Sequence, residues 1–453
     1  MLVAAAVSLL LAVIRKEGVM ITGLRLRNFK SFREASVPFD RFTVVLGANG
    51  AGKSNLFDAL RFLKSIGQGR SVRDALEGRV APGPTLAVVD GVRGGSASAP
   101  YFGSARHGFD VEVDFLAHGR AITYWVSVDT RRHRLVGEEL RCDDRGGPYI
   151  YSTRPETGPL DPEPDGPAIP ARFYKEQRGV NPKRDFSPYD FILTQFTGRK
   201  AESNLNEDVA AAVRAELSAI NPLELRPEVL RTYSTRGNSL LGEHGENFAG
   251  AVADLLERAG ELPAYRPVPD EERATAQTRL AAVLSWIDQV TPRGITSIRA
   301  ESAPTGEVVF GVKESPFDRV IPAPSLSDGT LRFAALAFAA IDPGPTQKTL
   351  VIEELENGVN PSRLPLLMQM LDQVTSVDGT TQVIASTHSP AVLDSATERI
   401  VGACVAIGWD VDTASSTVSR LVDLPGFETA IADGEATLGE LQAEGWINAA
   451  VGA

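Results

Sequence analysis

Cysteine is scarce in this sequence, since 453 residues contain only Cys142 and Cys404. These two supply neither a metal-binding motif nor a disulfide framework, and such usage fits the reducing cytosol, so we expect a cytoplasmic protein. Basic residues are also fewer than acidic ones. The formal net charge is −12, which argues against a protein that binds nucleic acid mainly by electrostatic attraction but leaves room for a local basic patch.

The apolar run at the N-terminus, Leu2 to Ile14, bears on membrane association. It is too short to span a bilayer comfortably. It also lacks the preceding basic segment and the small-residue cleavage site of a secretory signal. Met20 directly precedes the first strand pattern. We therefore expect translation to start at Met20, residues 1–19 to be a non-native or disordered leader, and no membrane partner; a membrane anchor is the alternative.

A phosphate-loop pattern follows the apolar, β-branched run Thr43–Leu46. The segment Gly47-Ala48-Asn49-Gly50-Ala51-Gly52-Lys53-Ser54 fits G-x-x-x-x-G-K-[ST], and an amphipathic run continues to Ile66. The sequence thus predicts a strand, a loop and a helix. Backbone N–H groups of the loop would cradle the β- and γ-phosphates of a nucleotide. Lys53 would add a point charge, and the Ser54 hydroxyl would ligate Mg²⁺.

Two further segments carry residues suited to hydrolysis. The predicted buried strand Thr349–Ile352 delivers Glu353 and Glu354 at its C-terminal end, where open α/β sheets bind ligands. Glu353 would hold Mg²⁺ through water, and Glu354 would orient or deprotonate the attacking water. His388 follows the predicted strand Thr381–Ala385. An imidazole there would sense the γ-phosphate or polarise water.

The segment Ser325-Leu326-Ser327-Asp328-Gly329-Thr330 precedes a predicted apolar helix, Leu331–Ile341. Ser327 and Asp328 are both good N-caps, so a capped helix is the simplest interpretation. The segment also resembles the signature motif of ABC-type ATPases, in which a helix N-terminus and a serine bind the γ-phosphate held by a second subunit. On that resemblance, Ser327 and Gly329 would contact nucleotide, and the working unit would be a homodimer with composite sites.

The order of these motifs resembles that of ABC-type ATPases of the RecF/SMC kind, in the branch of AAA ATPases linked to abortive infection. The matching segments are residues 26–32, 47–55, 326–330, 352–361 and 386–390. The resemblance implies ATP and Mg²⁺ as cofactors, nucleotide contacts for Lys30 and Asn55, and a D-loop at Glu356-Asn357-Gly358. It also implies a Q-loop glutamine near the metal. Gln195 is the candidate for that residue, and Gln177 is its competitor.

Some positions depart from the pattern of that family. Glu353 stands where an aspartate is frequent, so the metal geometry would differ while the charge is kept. Leu355 and Asn360 replace a frequent proline and histidine. Asp328 takes the place of a signature glycine, and an acid beside a γ-phosphate is unfavourable unless it points away or pairs with a base. Slow hydrolysis is the expected consequence.

The predicted fold class is α/β: a P-loop NTPase similar to ABC and SMC heads, with an antiparallel β meander and an inserted helical subdomain. Residues 20–154 would form the N-terminal ATPase lobe with the phosphate loop and the meander. Residues 155–295 would be a proline-rich linker and helical insertion, and residues 296–453 the C-terminal ATPase lobe. Residues 67–100 are rich in Gly, Ser and Pro, and the segment Gly91-Val92-Arg93-Gly94-Gly95-Ser96 within them predicts a flexible loop.

Periodicity supplies the elements of these lobes. Three alternating runs predict the strands of the meander: Phe109–Leu116, Ala121–Val128 and Leu135–Arg141. Apolar residues at three- and four-residue spacing predict the helices of the insertion: Asn204–Ile220, Glu246–Ala259 and Glu271–Val290. Two more strands are predicted beyond it, Thr296–Arg299 and Val308–Val312.

Two functions remain in view. The leading interpretation is an ATPase that dimerises on ATP and, by resemblance, acts in DNA maintenance or phage defence. The alternative is an ATP-sensing regulatory subunit with little turnover that restrains a partner toxin or nuclease. A transporter ATPase is disfavoured because no membrane-partner motif occurs. DNA is a candidate partner, and basic residues such as Arg131, Arg132 and Arg134 would contact its phosphates, although exposed arginines are more often merely solvated.

Overall fold

The computed structural model describes most of the chain. The described residues are 19–81, 87–89, 91–117, 119–143, 149–154, 166–174, 181–197, 205–237, 240–291, 294–304, 306–315, 319–342, 348–376, 381–432 and 436–451. Of the predicted leader, residues 1–18 lie outside them. None of the helices in these ranges is long and apolar enough to cross a membrane.

The described chain contains nineteen β-strands. In chain order they are β1 (Met20–Phe29), β2 (Phe32–Pro38), β3 (Phe42–Leu46), β4 (Arg79–Ala81), β5 (Ala87–Val89), β6 (Gly108–Ala117), β7 (Arg120–Asp129), β8 (Arg134–Cys142), β9 (Tyr151–Ser152), β10 (Ile169–Phe173), β11 (Lys183–Phe186), β12 (Ile220–Leu223), β13 (Ile295–Ser302), β14 (Val308–Glu314), β15 (Val320–Pro322), β16 (Lys348–Ile352), β17 (Thr381–Ser386), β18 (Val405–Asp410) and β19 (Ser415–Arg420).

Helices of very different length connect these strands. The α-helices are Lys53–Gly67, Val72–Glu77, Gly95–Ser98, Ile192–Thr197, Leu205–Ser218, Pro227–Leu230, Phe248–Ala259, Asp270–Val290, Asp328–Ile341, Leu364–Val374, Pro390–Asp394, Glu398–Ala403, Phe427–Ala432, Leu438–Ala443 and Trp446–Val451. Short 3₁₀ turns span Ala323–Ser325, Pro361–Arg363 and Leu421–Asp423.

The larger sheet is antiparallel and has the order β11-β10-β9-β8-β7-β6-β1-β2. Its centre confirms the predicted meander, since β6, β7 and β8 pair in sequence along almost their full lengths. The sheet is wider than predicted, because β1 and β2 extend one side and β9 to β11 the other. It therefore continues into the segment that the sequence assigned to a linker and a helical insertion. Proline and acidic residues between the strands hid this continuation.

The second sheet has the order β12-β16-β17-β3-β18-β19 and is parallel except for β19. It confirms the parallel sheet that strand–helix alternation predicts. Strand β12 comes from the predicted insertion and pairs with β16 at the edge of this sheet. Because parallel strands end on the same side, β3, β16 and β17 bring the segments that follow them to one edge.

The helix Lys53–Gly67 lies between the two sheets and buries both of its faces. Phe62 is fully buried and meets Phe109 of the antiparallel sheet edge-on, with ring centroids 5.1 Å apart. Phe191 packs against the same ring at 5.9 Å. On the far side of the parallel sheet, a second core contains two of the predicted insertion helices, Phe248–Ala259 and Asp270–Val290, and the signature helix Asp328–Ile341. The remaining insertion helix, Leu205–Ser218, packs in the first core with the phosphate-loop helix. The fold class predicted from the sequence is thereby confirmed.

The Gly-, Ser- and Pro-rich stretch 67–100 contains short elements that the sequence did not predict, and the helix Gly95–Ser98 begins within the predicted loop, residues 91–96. Ser71 caps the helix Val72–Glu77 by accepting a hydrogen bond from the Asp74 N–H group at 3.1 Å. The apolar residues of this helix are buried. Strands β4 and β5 follow and pair as a hairpin. Segments of three to six residues are too short for periodicity to reveal among glycines and prolines.

Phe62 provides a test of this packing. Replacing Phe62 with alanine removes a ring that joins the phosphate-loop helix to the antiparallel sheet, so we expect the free energy of unfolding to fall by about 3–5 kcal/mol. Urea denaturation followed by circular dichroism measures the change. The control is Phe102→Ala, because Phe102 is fully exposed and its loss should change the stability by less than about 0.5 kcal/mol. Equal effects of the two substitutions would contradict the packing.

Candidate nucleotide-binding site

Close backbone contacts shape the loop between β3 and the helix Lys53–Gly67. Gly47 adopts φ 147°, and a Cβ atom there would collide with the carbonyl oxygen of Ile407. Gly52 adopts φ 118°, and its Cβ would lie 2.5 Å from the Ser416 hydroxyl oxygen. Only glycine fits either position. The helix then begins at Lys53 with no side-chain cap in the described structure, so its first N–H groups are available to an anion.

Lys53 is held by the carbonyl groups of its own loop. Its ammonium donates hydrogen bonds to the carbonyl oxygens of Gly47 at 2.7 Å and Ala48 at 2.9 Å. Burial lowers the pKa of Lys53 to about 8, against the opposing charges of Glu354 and two neighbouring carboxylates. The side chain therefore remains mostly protonated at neutral pH. An ammonium has three donors, so one is left for a phosphate oxygen.

The predicted motifs meet at one cleft of about 170 Å³. It is lined by Asn49, Gly50, Gly52, Lys53, Ser54, Asn55, Glu353, Glu354, Ser386 and His388. The loop after β3, the carboxylates after β16 and the histidine after β17 thus share a single site. Ala48 and Ala51 border an adjoining pocket on the β18 side of the loop. The asparagine Asn55 also donates to the Ser31 hydroxyl at 2.8 Å.

Glu353 is charged and enclosed by arginines. Arg93 approaches one carboxylate oxygen at 3.1 Å, and Arg61 approaches the other at 3.4 Å. Burial alone would raise the pKa of Glu353, but the charge of Arg93, a hydrogen bond from Ser54 and the charge of Arg61 outweigh burial and lower it. The carboxylate predicted to hold the metal is therefore ionised and already neutralised by two cations.

Arg93 is a site residue that the sequence motifs did not identify. Its guanidinium donates to Asp58 at 2.8 Å and to the Ser54 carbonyl oxygen at 2.6 Å, besides the ion pair with Glu353. Gly94 and Gly95 follow it with φ of 81° and 65°. The only signal in the sequence is an arginine within a glycine-rich turn. Such turns are common, so the pattern alone could not assign a role.

Lys30, predicted to contact nucleotide, joins the same group of charges. Its ammonium pairs with the buried carboxylate of Asp58 and donates to the Arg93 carbonyl oxygen at 2.8 Å. It does not line the cleft. The structure therefore places Lys30 behind the arginine that meets Glu353. Its predicted contact with nucleotide stays a prediction.

Glu354 stands in the left-handed region with φ 53°, which is uncommon for a residue other than glycine. Its N–H group donates to the Ser386 hydroxyl at 3.0 Å. The side chain is exposed in the cleft, and no described residue bonds to its carboxylate. Backbone strain at such a position is typical of functional sites. The geometry leaves this carboxylate available to a water molecule.

His388 is fixed by Glu356, whose role was predicted only as part of the D-loop. The His388 N–H group donates to one oxygen of Glu356 at 2.6 Å, and the Thr387 hydroxyl donates to the other at 2.8 Å. Burial lowers the pKa of His388, and the charge of Lys53 lowers it further against the two glutamates nearby. The imidazole is therefore neutral at pH 7 and lines the cleft beside Lys53.

The signature segment forms the capped start of the helix Asp328–Ile341. The Ser327 hydroxyl accepts from the Thr330 N–H group at 3.2 Å. Asp328 pairs with Arg231 at 2.5 Å. Pairing with a base is one of the two arrangements, besides pointing away, that would let an acid stand beside a γ-phosphate. Ser327 and Gly329 do not line the cleft of their own chain.

Gln195, the predicted Q-loop residue, is not brought to the cleft. Its side-chain amide accepts from the Ser187 N–H group at 2.9 Å and donates to the carbonyl oxygens of Ser187 and Asp190. These bonds occupy the amide in stabilising a local turn. The competitor Gln177 lies outside the described residues. Spacing along the sequence could not show which of the two glutamines lies near the metal. A glutamine that stabilises a turn and a glutamine that binds a metal look the same in the sequence.

The donor set at the cleft fits Mg²⁺ only in part. Within the described ranges, no group of three His, Cys, Asp or Glu side chains could hold a metal alone. Mg²⁺ commonly takes one or two carboxylates, several waters and substrate phosphates. The Ser54 hydroxyl and the Glu353 carboxylate are hydrogen-bonded neighbours and fit that pattern. Phosphate oxygens would have to complete the coordination.

The placement of Arg93 predicts its effect on metal binding. Arg93 and Mg²⁺ would compete for Glu353, so in the Arg93→Ala protein we expect the Mg²⁺ concentration for half-maximal ATP binding to fall roughly three- to tenfold. Titration of Mg²⁺ against a fluorescent ATP analogue measures it. Arg106→Ala is the control, because Arg106 has the same side-chain exposure of 45% and pairs with Asp110 outside the cleft. An unchanged or higher requirement for Mg²⁺ would refute the competition.

Comparison with known proteins agrees with the motifs. The chain is similar over short segments to "Structural maintenance of chromosomes protein 1" of Schizosaccharomyces pombe, with 49% identity over 45 residues, 10% of this chain and 4% of that protein. It is likewise similar to "Structural maintenance of chromosomes protein 1B" of Mus musculus, with 55% identity over 42 residues, 9% of this chain and 3% of that protein. The matches therefore cover only a small part of these relatives.

Among solved structures, the SmcHead bound to the C-winged helix domain of ScpA has a TM-score of 0.48 and 15% identity, over 88% of this chain and 97% of that one. The SMC head domain from Thermotoga maritima has a TM-score of 0.40 and 15% identity, over 88% and 98%. The family model "AAA domain, putative AbiEii toxin, Type IV TA system" matches residues 42–394. That match exceeds half of the chain, so the protein belongs to this family of AAA domains, as the motif resemblance predicted.

Proposed function

We propose that the protein binds ATP with Mg²⁺ in the cleft, hydrolyses it, and dimerises on ATP through composite sites. The observation that carries this proposal is the convergence of Lys53, Glu354 and His388 on one cleft from the ends of three neighbouring strands. They supply a positive charge for phosphate, a carboxylate to which no described residue bonds, and an imidazole beside them; phosphoryl transfer to water is catalysed mainly by such positioning and charge stabilisation.

Binding would rest on the loop and the start of its helix. The N–H groups that follow Gly52 have no side-chain cap in the described chain, so they would bind phosphate oxygens. Lys53 now donates hydrogen bonds to the Gly47 and Ala48 carbonyl groups. When nucleotide binds, it would give up part of this bonding and donate to the β- and γ-phosphates instead. Ser54 and Glu353 would hold Mg²⁺, which neutralises charge on the phosphates when it is bound.

Hydrolysis would depend on Glu354 and His388. The carboxylate of Glu354 is exposed in the cleft, where it would orient the attacking water and accept its proton. The neutral imidazole of His388 would donate a hydrogen bond to the γ-phosphate, and Glu356 holds its backbone for that purpose. The anchoring of the Glu354 N–H group to Ser386 supports a fixed position for the base.

Dimerisation is supported by the position of the signature segment, which lies outside the cleft of its own chain. Ser327 and Gly329 begin a 14-residue helix but do not line the cleft of their own protomer. The negative charge of Asp328 is balanced by its ion pair with Arg231. This helix start would therefore accept a γ-phosphate held by a second copy of the chain. Each ATP would then lie between the phosphate loop of one chain and the signature helix of the other.

The biological setting that we propose for this ATPase is supported by its family and its relatives. The toxin and toxin–antitoxin terms in the family description support phage defence, and the short similarity to chromosome-maintenance proteins supports work on DNA. DNA and a partner toxin or nuclease are accordingly the proposed partners, in the cytoplasm. The ion pairs of Glu353 favour a second candidate, an ATP-sensing regulatory subunit with little turnover, because arginines occupy the metal carboxylate before nucleotide binds.

The Glu354→Gln protein tests both hydrolysis and dimerisation. It should bind ATP as the wild type does, hydrolyse it roughly 100-fold more slowly because the base is lost, and accumulate as a dimer. Phosphate release measures turnover, and light scattering after size exclusion measures mass. Glu301→Gln is the control, since Glu301 is an exposed residue of β13 and does not line the cleft.

The outcomes separate the alternatives. Normal turnover in the Glu354→Gln protein would contradict the role of Glu354. A monomer at saturating Mg-ATP would contradict the composite site. Nucleotide binding by the wild type with turnover no faster than that of Glu354→Gln would favour the ATP-sensing regulator.

A further inference from the structure

Arg332 is a buried cation on the signature helix that the proposed chemistry does not use. The residue is only 7% exposed. Among the residues that the structure describes, its guanidinium forms no hydrogen bond and no ion pair, and its Nε atom is buried without a partner. A buried charge without a bonded partner costs stability. Its position on this helix therefore calls for a functional reason.

Four carboxylates act on Arg332 through their charge, and none of them bonds to it among the described residues. Burial lowers the pKa of Arg332, and the charges of Glu354, Glu224, Asp328 and Glu228 oppose that effect, with Glu354 the strongest of them. An arginine remains protonated under these conditions. Glu354, the proposed catalytic carboxylate, therefore has the largest electrostatic effect on the buried guanidinium among these four.

Arg332 also touches the turn that carries this carboxylate. We call residues 354–358 the D-loop turn; the Asn357 N–H group closes it by donating to the Glu354 carbonyl oxygen at 2.9 Å. Gly358 has φ 68°, and a Cβ atom there would lie 2.8 Å from Cδ of Arg332. The carbonyl oxygen of Gly358 would lie 3.1 Å from a Cβ on Gly329. The start of the signature helix and the D-loop turn are therefore in direct contact.

We propose that Arg332 is a positioning residue that couples the two ATP sites of the dimer. The inference rests on the proposed function, in which Ser327 serves the nucleotide of the partner and Glu354 serves the nucleotide of its own chain. Arg332 stands on the signature helix that begins after Ser327 and contacts the turn that begins with Glu354. A shift of the signature helix on engaging the partner's phosphate moves the guanidinium relative to the D-loop turn. Because the guanidinium has no bonded partner among the described residues, that movement breaks no hydrogen bond.

Three variants test the coupling: Arg332→Met, Arg332→Lys and the control Arg273→Met, since Arg273 is exposed on the helix Asp270–Val290. Initial rates against ATP concentration give kcat, KM and the Hill coefficient. Wild type should show a Hill coefficient above 1. Arg332→Met should lower kcat roughly tenfold or more, leave KM within about twofold, and bring the Hill coefficient to about 1. Arg332→Lys, which keeps the charge, should recover part of both.

The melting temperature distinguishes coupling from a merely structural role. Methionine removes a buried cation that has no bonded partner among the described residues, so the melting temperature of Arg332→Met should not fall by more than about 3 °C below that of the wild type. Wild-type kcat and Hill coefficient in Arg332→Met would overturn the proposal. A large loss of melting temperature that parallels the loss of activity, without rescue by lysine, would overturn it as well.

The proposed function fails in a different way. A wild-type protein that hydrolyses ATP with a Hill coefficient of 1 would refute the coupling and leave the ATPase intact. A wild-type protein that hydrolyses no ATP would refute the proposed function, and the coupling with it.

Discussion

The burial of the helix Lys53–Gly67 between two sheets is the constraint on which the candidate site depends. Aromatic packing of Phe62 against Phe109 and Phe191 fixes the helix to the antiparallel sheet. Its other face lies along the parallel sheet, from which β3 enters the phosphate loop. The start of the helix is thereby held at the edge where β16 and β17 also end. The candidate site residues from distant parts of the chain meet there because parallel strands end together.

The same helix has buried charged residues, and their ion pairs determine the surroundings of Glu353. Asp58 is buried on the helix and gathers Lys30 and Arg93, while Arg61 reaches from the next turn to Glu353. A buried carboxylate needs such partners before a metal arrives. In the proposed cycle, Mg-ATP would have to take over Glu353 from the arginines. The network therefore links nucleotide binding to the position of the loop that carries Arg93.

Sequence reasoning located the parts of the site that depend on spacing along one strand and its following turn. Lys53 was identified from the spacing of the phosphate-loop pattern after β3. Glu353 and His388 were identified because each lies just after the end of a buried strand, and strand ends can be recognised from hydrophobic runs. Arg93 escaped because it acts from a glycine-rich turn with no periodic neighbour. Gln195 was placed by analogy, and local hydrogen bonds to Ser187 hold it elsewhere. Contacts between segments far apart in sequence leave no local pattern.

Cross-linking between chains tests the composite site most directly, and the scarcity of cysteine permits it. Cys142 and Cys404 are buried, and burial raises the pKa of Cys404 to about 12, so neither should react. Two chains in the Glu354→Gln background, one with Asn49→Cys and one with Asp328→Cys, are mixed with a short bismaleimide. A product of doubled mass should form only in the mixture and only with Mg-ATP. Formation without ATP, or no such product with it, would contradict the account.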